Sequence, residues 1–250
     1  MSEQKFIELR IKRQEGPGKP SYYEEFKLPY RANANVISCL MEIQRNPLTA
    51  EGKKTTPVVW DCNCLEEVCG ACTMVVNGKV RQSCSTLIDN LTQPVTLEPM
   101  KSFPTVRDLA VDRSRMFEAL KRVKAWVDID GTHDLGPGPK QSPEMQEWMY
   151  HLSECMTCGC CVEACPNYNE KTTFVGPQAM SQVRLFNAHP SGAMHADDRL
   201  ETLMGPGGAS ECGNAQNCVK ACPKEIPLTT SIANINRALT GYAIKKVLDK

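Results

Sequence analysis

The sequence predicts an α+β protein in which a strand-rich half precedes a helical half. Apolar Ile7, Leu9 and Ile11 alternate with Glu8, Arg10 and Lys12, the period-2 pattern of a half-buried strand. Asn77-Gly78, the pair best suited to a type I′ hairpin turn, separates Thr73 to Val76 from Lys79 to Gln82. Beyond residue 112 helical spacing takes over, with Met116, Leu120 and Val123 on one face.

The elements follow in order. Glu15 to Pro20 holds two Gly and two Pro, so the first strand turns back into a second over Tyr22 to Leu28. Val36, Ile37, Leu40, Met41 and Ile43 predict a helix that Pro47 closes. Pro57 to Trp60 reads as a short strand and Val95 to Glu98 as the last strand of this domain. A helix is expected over Asp112 to Trp126, then a Pro- and Gly-rich loop over Gly131 to Pro143. Ser142-Pro143-Glu144 is a helix start: a capping hydroxyl, Pro at the first turn and an acid at the positive end. Ala179 to Phe186 and Ile232 to Val247 are the clearest later helices. The domain boundary is expected within 100–112, giving domains 1–108 and 109–250.

Composition removes several classes. Lys+Arg and Asp+Glu are both 29, and a nucleic-acid binder would carry a basic excess. No apolar run approaches the roughly 20 residues of a membrane-spanning helix. Met1 to Gly16 is charged and lacks the apolar core of an export signal, so the chain is expected to stay where it is made, or in a compartment whose targeting segment is missing from this sequence. Fourteen cysteines in such a compartment point to metal rather than disulfides.

The cysteines fall into groups. Cys64, Cys69, Cys72 and Cys84 follow the plant-type spacing of a 2Fe–2S site, C-x4-C-x2-C with a later fourth ligand. The loop Leu65 to Ala71 aims three sulfurs inward, Gly70 permits close backbone approach, and the Asn77-Gly78 hairpin returns the chain to Cys84. A four-cysteine zinc site is the competing reading, although structural zinc favours paired short spacings. Cys155, Cys158, Cys161 and Cys165 precede Pro166 in the run C-x2-C-x2-C-x3-C-P, whose fourth cysteine ligates the other of two clusters. The partner run is Cys212, Cys218 and Cys222 before Pro223, with Ala215 where a cysteine should stand. Crossing the fourth ligands assigns Cys155, Cys158, Cys161 and Cys222 to a 4Fe–4S cluster. Cys165, Cys212 and Cys218 remain for a cluster with one open corner, expected as 3Fe–4S and at a higher potential. Cys39, Cys62 and Cys160 are left as free thiols, and Cys39 reads as a small buried hydrophobe. His133, His151, His189 and His195 show no ligand spacing and read as surface or structural residues. No acid, base or nucleophile constellation is visible, so no catalytic residue is expected in this chain.

A plant-type domain followed by a two-cluster domain lacking one cysteine resembles the iron–sulfur subunit of succinate dehydrogenase and its fumarate reductase relatives. The resemblance covers nearly the whole chain: Cys64 to Cys72, the linker Arg107 to Trp126, Cys155 to Pro166, Phe174-Val175-Gly176-Pro177 and Cys212 to Pro223. It implies a β-grasp ferredoxin domain and an all-α domain like bacterial ferredoxins. It also implies a flavoprotein partner carrying FAD and a membrane anchor carrying haem b. Electrons would then pass through the 2Fe–2S, 4Fe–4S and 3Fe–4S clusters to quinone. The site would be peripheral, on the cytoplasmic face of the bacterial membrane, with Pro166 as the quinone-site candidate. Two departures point to menaquinone: Asn167, Tyr168, Asn169 and Glu170 stand where ubiquinone enzymes place a tryptophan, and Gly213 stands where they place a histidine. Glu67 replaces a common Gly and, with Glu66 and Asp61, tends to lower the first cluster's potential. A fumarate reductase running in reverse, the electron-transfer subunit of another flavin dehydrogenase, and a stand-alone ferredoxin are the other readings.

Overall fold

The computed structural model describes residues 5–128 and 136–249. His133 and the first part of the loop expected over Gly131 to Pro143 lie outside them. The chain forms two compact units. One comprises the described parts of Met1–Arg113 together with Met156–Glu163, and the other those of Ser114–Cys155 and Ala164–Lys250. One short segment from late in the chain thus packs with the first unit.

The first unit is built on a five-stranded sheet. β1 (Phe6–Arg13) and β2 (Tyr22–Pro29) form the expected hairpin, with Phe6 opposite Pro29 and Arg13 opposite Tyr22. α1 (Val36–Arg45) follows, then β3 (Thr73–Val76), β4 (Lys79–Gln82) and β5 (Val95–Glu98). The strand order is β2-β1-β5-β3-β4, in which β5 runs parallel to β1 and antiparallel to β3. Ile7, Leu9 and Ile11 all face the core, as a period of two requires. Val36, Ile37, Leu40 and Ile43 of α1 belong to the same core. Asn77 and Gly78 both take positive φ, 47° and 74°, the backbone that a type I′ turn demands.

The start of α1 is tied to a cysteine. The Asn35 side chain accepts from Ser38 N at 2.8 Å, and Ser38 Oγ accepts from Asn35 N at 3.0 Å, a reciprocal cap that satisfies two otherwise orphaned donors. The Asn35 amide then donates to the carbonyl of Cys84 at 2.9 Å. The helix cap thus holds the chain that carries the fourth cysteine of the first group.

The expected strand over Pro57 to Trp60 does not form. A buried ion cluster uses this segment's backbone instead. Asp108 accepts from Val59 N at 2.9 Å, from Gln14 N at 3.0 Å and from Arg13 Nε at 3.0 Å. Arg13 also pairs with Glu24 and donates to the Thr56 carbonyl at 3.1 Å. Asp108 stands at φ 47°, between β6 (Thr105–Arg107) and β7 (Ala110–Val111). This two-stranded ribbon had no sequence signal.

The second unit is helical among its described residues. α2 (Ser114–Arg122) is shorter than the expected Asp112 to Trp126, because Lys124 takes φ 49° and ends the helical path. α3 (Pro143–Ser153) starts where expected, with Ser142 Oγ accepting from Met145 N. α4 (Cys160–Glu163) belongs to the first unit. α5 (Pro177–Ala188), α6 (Ala196–Met204), α7 (Asn217–Ala221) and α8 (Leu228–Leu248) complete the chain. The long pair α5 and α8 forms the centre, with Ala179, Met180 and Val183 buried, as are Ile232 and Ile235. Arg199, 1% exposed, donates to the carbonyls of Lys124, Trp126 and Gly192, so the chain end after α2 is fastened to α6. His195 pairs with Asp128, and His151 and His189 bond main-chain groups of Lys224 and Gly192, the structural roles expected of them.

Replacing Asp108 by Ala leaves Arg13 buried with only part of its pairing. A loss of about 3–5 kcal/mol is expected from breaking a buried pair. Denaturant unfolding monitored by circular dichroism checks this; a loss below about 1 kcal/mol would show that the cluster is not structurally important.

Candidate metal centres

Cys64 and Cys69 lie in a loop that turns back on itself before β3. Leu65 and Glu67 take φ 63° and 58°, and Gly70 takes 72°. Left-handed residues alternating with others turn successive N–H groups to one side, which makes an anion-binding concavity. Non-glycine residues in this region cost of order 1–3 kcal/mol each, a strain typical of functional loops. The amides reach the sulfurs. Cys64 Sγ accepts from Glu66 N, Val68 N and Cys69 N at 3.5, 3.3 and 3.3 Å. Cys69 Sγ accepts from Cys64 N at 3.4 Å and Ala71 N at 3.5 Å, and Cys72 Sγ accepts from Cys84 N at 3.5 Å. The three amides bring the Cys64 thiol down to about 7. Burial pushes Cys72 the other way, up to about 12. All four expected ligands of the first group lie in this unit: Cys64 and Cys69 half-buried, Cys72 and Cys84 buried.

The first unit also contains Cys158, Cys160 and Cys161. Gly70 lies so close to Cys158 that a Cβ at residue 70 would stand 2.7 Å from both its Cα and its Cβ. Arg113 pins the contact. It donates to the carbonyls of Gly70 at 2.7 Å, Cys158 at 3.4 Å and Ala71. Glu163 holds the far end of the segment by accepting from Lys101 N and Ser102 N, each at 2.9 Å. Gly159, at φ 91°, rests on Met100 and Phe103. Cys160 is fully buried, and its Sγ accepts from Gln82 Nε2 at 3.5 Å. A hydrogen bond with Cys160, then burial, push the Cys158 thiol upward. Cys155 and Cys222 lie in the second unit.

The second unit holds the third group. Cys165, Cys212 and Cys218 line one small cavity, together with Pro166, Asn167 and Ala215. Asn214 and Gln216 flank Ala215 at φ 52° and 60°, so this loop uses the same left-handed alternation as the first. The Ala215 methyl offers no metal donor at the place where the spacing calls for a fourth sulfur. Burial pushes the Cys165 thiol up, against the pull of the Asn167 and Tyr168 amides. Burial also raises Cys218, against the amide of Val219. Pro166, the quinone-site candidate, is thus a neighbour of this group. Arg115 braces the chain after it, stacked 4.1 Å over the Tyr168 ring and donating to the carbonyls of Asn169 and Thr172, both at 2.6 Å. A Cβ at Gly213 would lie 2.9 Å from Asn167 Oδ1, so Asn167 occupies the space that a larger residue at 213 needs.

None of the fourteen cysteines is in a disulfide. Among the described residues no three His, Cys, Asp or Glu side chains gather at the separation of a single ion. Soft thiol donors inside amide-lined concavities fit an iron–sulfur group, whose sulfides and thiolates need N–H partners. Cys39 lies on the buried face of α1, and burial raises its thiol to about 11, as suits an inert hydrophobe. Arg113, Gln82 and Glu163 were invisible to spacing arguments because they act on backbone and sulfur remote in sequence.

Comparison with known proteins agrees with this geometry. A family model described as a 2Fe-2S iron-sulfur cluster binding domain matches residues 8–118, and one described as a 4Fe-4S dicluster domain matches 151–226. The molecule is therefore an iron–sulfur protein with a 2Fe–2S domain followed by a dicluster domain. The succinate dehydrogenase iron-sulfur subunit of Bacillus subtilis is 65% identical over 95% of this chain and 94% of its own length. The fumarate reductase iron-sulfur subunit of Mycobacterium tuberculosis is 33% identical, covering 76% of each chain. A chain from the Mycobacterium smegmatis Sdh1 complex in the apo form shares the fold, with a TM-score of 0.76 at 21% identity over 95% of this chain and 97% of its own. The chain belongs to the family of succinate dehydrogenase and fumarate reductase iron–sulfur subunits.

Gly70→Ala tests the close approach. The left-handed backbone alone costs about 1–3 kcal/mol, and the overlap with Cys158 adds to it. Lower thermal stability and less iron bound per chain are expected; wild-type values for both would refute the packing argument.

Proposed function

We propose that this chain relays single electrons from a flavoprotein subunit carrying FAD to quinone, in a complex that oxidises succinate. The observation that carries the reading is the Ala215 gap. Two unlike cysteine systems stand in one chain, and the third group lacks a ligand at one defined corner. The clusters supply one-electron redox chemistry, and the protein supplies ligands, amides and burial. Cys64, Cys69, Cys72 and Cys84 hold the 2Fe–2S cluster. Cys155, Cys158, Cys161 and Cys222 hold the 4Fe–4S cluster by the crossed-ligand rule. Cys165, Cys212 and Cys218 hold the 3Fe–4S cluster. We take the family fold names to follow: a β-grasp ferredoxin domain over 1–108 and a bacterial-ferredoxin-like helical domain over 109–250.

No described helix is long and apolar enough to cross a membrane. A separate anchor subunit with haem b, at the cytoplasmic face of the bacterial membrane, completes the proposed complex. Pro166 contributes to the quinone site from its place beside Cys165. The absence of a tryptophan after Pro166, and Asn167 filling the space against Gly213, favour menaquinone. The 65% identity to the Bacillus subtilis succinate dehydrogenase subunit supports succinate oxidation as the preferred direction.

Electron paramagnetic resonance on the native complex tests the assignment. A 3Fe–4S signal is expected in the oxidised sample, with further signals on reduction. Ala215→Cys supplies the fourth thiolate, so the oxidised signal should vanish while iron rises by about one per chain, as the crossed-ligand rule requires. A silent oxidised wild type with full iron would reject the third-cluster assignment. Absence of succinate-dependent dye reduction in the intact complex would reject the succinate reading.

A further inference from the structure

Gln82 is 1% exposed at the end of a strand whose other residues are more open. Its amide joins two cysteines that are far apart in sequence. Oε1 accepts from the Cys72 thiol at 3.4 Å, and Nε2 donates to Thr73 Oγ1 at 2.6 Å and to Cys160 Sγ at 3.5 Å. Cys160 in turn bonds Cys158. Cys72, Gln82, Cys160 and Cys158 therefore form a continuous buried side-chain path. The proposed function assigns its two ends to different clusters, and the inference rests on that assignment.

A thiol can donate to Oε1; a metal-bound thiolate cannot. Cys72 releases its proton when it binds iron. A carbonyl oxygen facing the resulting thiolate would then be a buried repulsive contact. Rotating the Gln82 amide by half a turn exchanges its nitrogen and oxygen within the same volume. Each of the three neighbouring side chains keeps a bond to the amide after the exchange. Nε2 donates to Cys72 Sγ, while Oε1 accepts from the Thr73 hydroxyl and the Cys160 thiol. Thr73 gives up its 2.9 Å bond to the Gly70 carbonyl, which keeps Arg113 at 2.7 Å.

We propose that Gln82 is a positioning residue for electron transfer: in the loaded protein its amide, oriented by Thr73 and Cys160, donates to Cys72 Sγ and raises the first cluster's potential. A hydrogen bond to a ligating sulfur stabilises the reduced, more negative state of a cluster, so the donor raises the potential. This offsets the acidic loop residues Asp61, Glu66 and Glu67 and brings the first cluster nearer to what succinate can reduce.

The test uses the native complex, with Gln82→Leu and Cys160→Ala variants and redox titration followed by electron paramagnetic resonance. Gln82→Leu should lower the first cluster's midpoint, by up to about tenfold in its reduction equilibrium, which is ~59 mV for one electron. Cys160→Ala should shift it the same way but less, since it removes only the group that orients the amide. The third cluster's midpoint should not move. With side-chain 15N-labelled glutamine, pulsed spectra of the reduced first cluster should show a nitrogen coupling that Gln82→Leu abolishes. Unchanged midpoints in both variants, or no nitrogen coupling in the wild type, would overturn the inference. If Gln82→Leu does not fold, the Cys160→Ala midpoint and the wild-type coupling decide. A wild type with no 2Fe–2S signal would instead reject the proposed function.

Discussion

Gly70 and Cys158 meet backbone to backbone, and the architecture of the first unit follows from that contact. Only a residue without Cβ, in a left-handed conformation, permits it. Arg113 then binds three carbonyls of the two meeting segments with one rigid guanidinium. Glu163 fixes the other end of the segment through two main-chain amides. Eight residues from late in the chain, Met156–Glu163, thereby join a sheet formed by the first hundred. Cys158, Cys160 and Cys161 come with them.

Around that contact the protein manages two opposing demands of sulfur ligands. Thiolates need N–H donors and low exposure to water, and the two are hard to combine because burial disfavours charge. The first loop divides the task. Cys64 is supplied with three amides and its thiol ionises easily, while Cys72 is buried and resists ionisation. The third group repeats the compromise at Cys165, where two amides oppose burial. Both loops hold residues at positive φ, Leu65 and Glu67 in one and Asn214 and Gln216 in the other.

Much of this was legible in the chain itself. The alternation at Ile7, Leu9 and Ile11, the Asn77-Gly78 turn and the Ser142 cap are local signals, and each element formed where it pointed. Long-range competition defeated the others. Pro57 to Trp60 has strand-like residues, but Asp108, 49 residues away, takes the Val59 amide, and Arg13, 43 residues away, takes the carbonyl of Thr56 just before it. The helix over Asp112 to Trp126 is cut short where Arg199 captures the carbonyls of Lys124 and Trp126. No window of sequence around either segment contains the residue that decides its fate.

Cysteine spacing by itself determined the cluster chemistry, because ligands a few residues apart are held by local loop geometry that short sequence runs encode. The alanine at position 215, where the spacing calls for a cysteine, belongs to the same local code. Tertiary structure alone decided which groups surround the sulfurs. That Gln82 reaches Cys72 and Cys160, that Arg113 locks Gly70 to Cys158, and that Asn167 lies against Gly213 are contacts between residues remote in sequence. Such contacts depend on how whole elements pack, and packing is a property of the folded chain rather than of any segment in it.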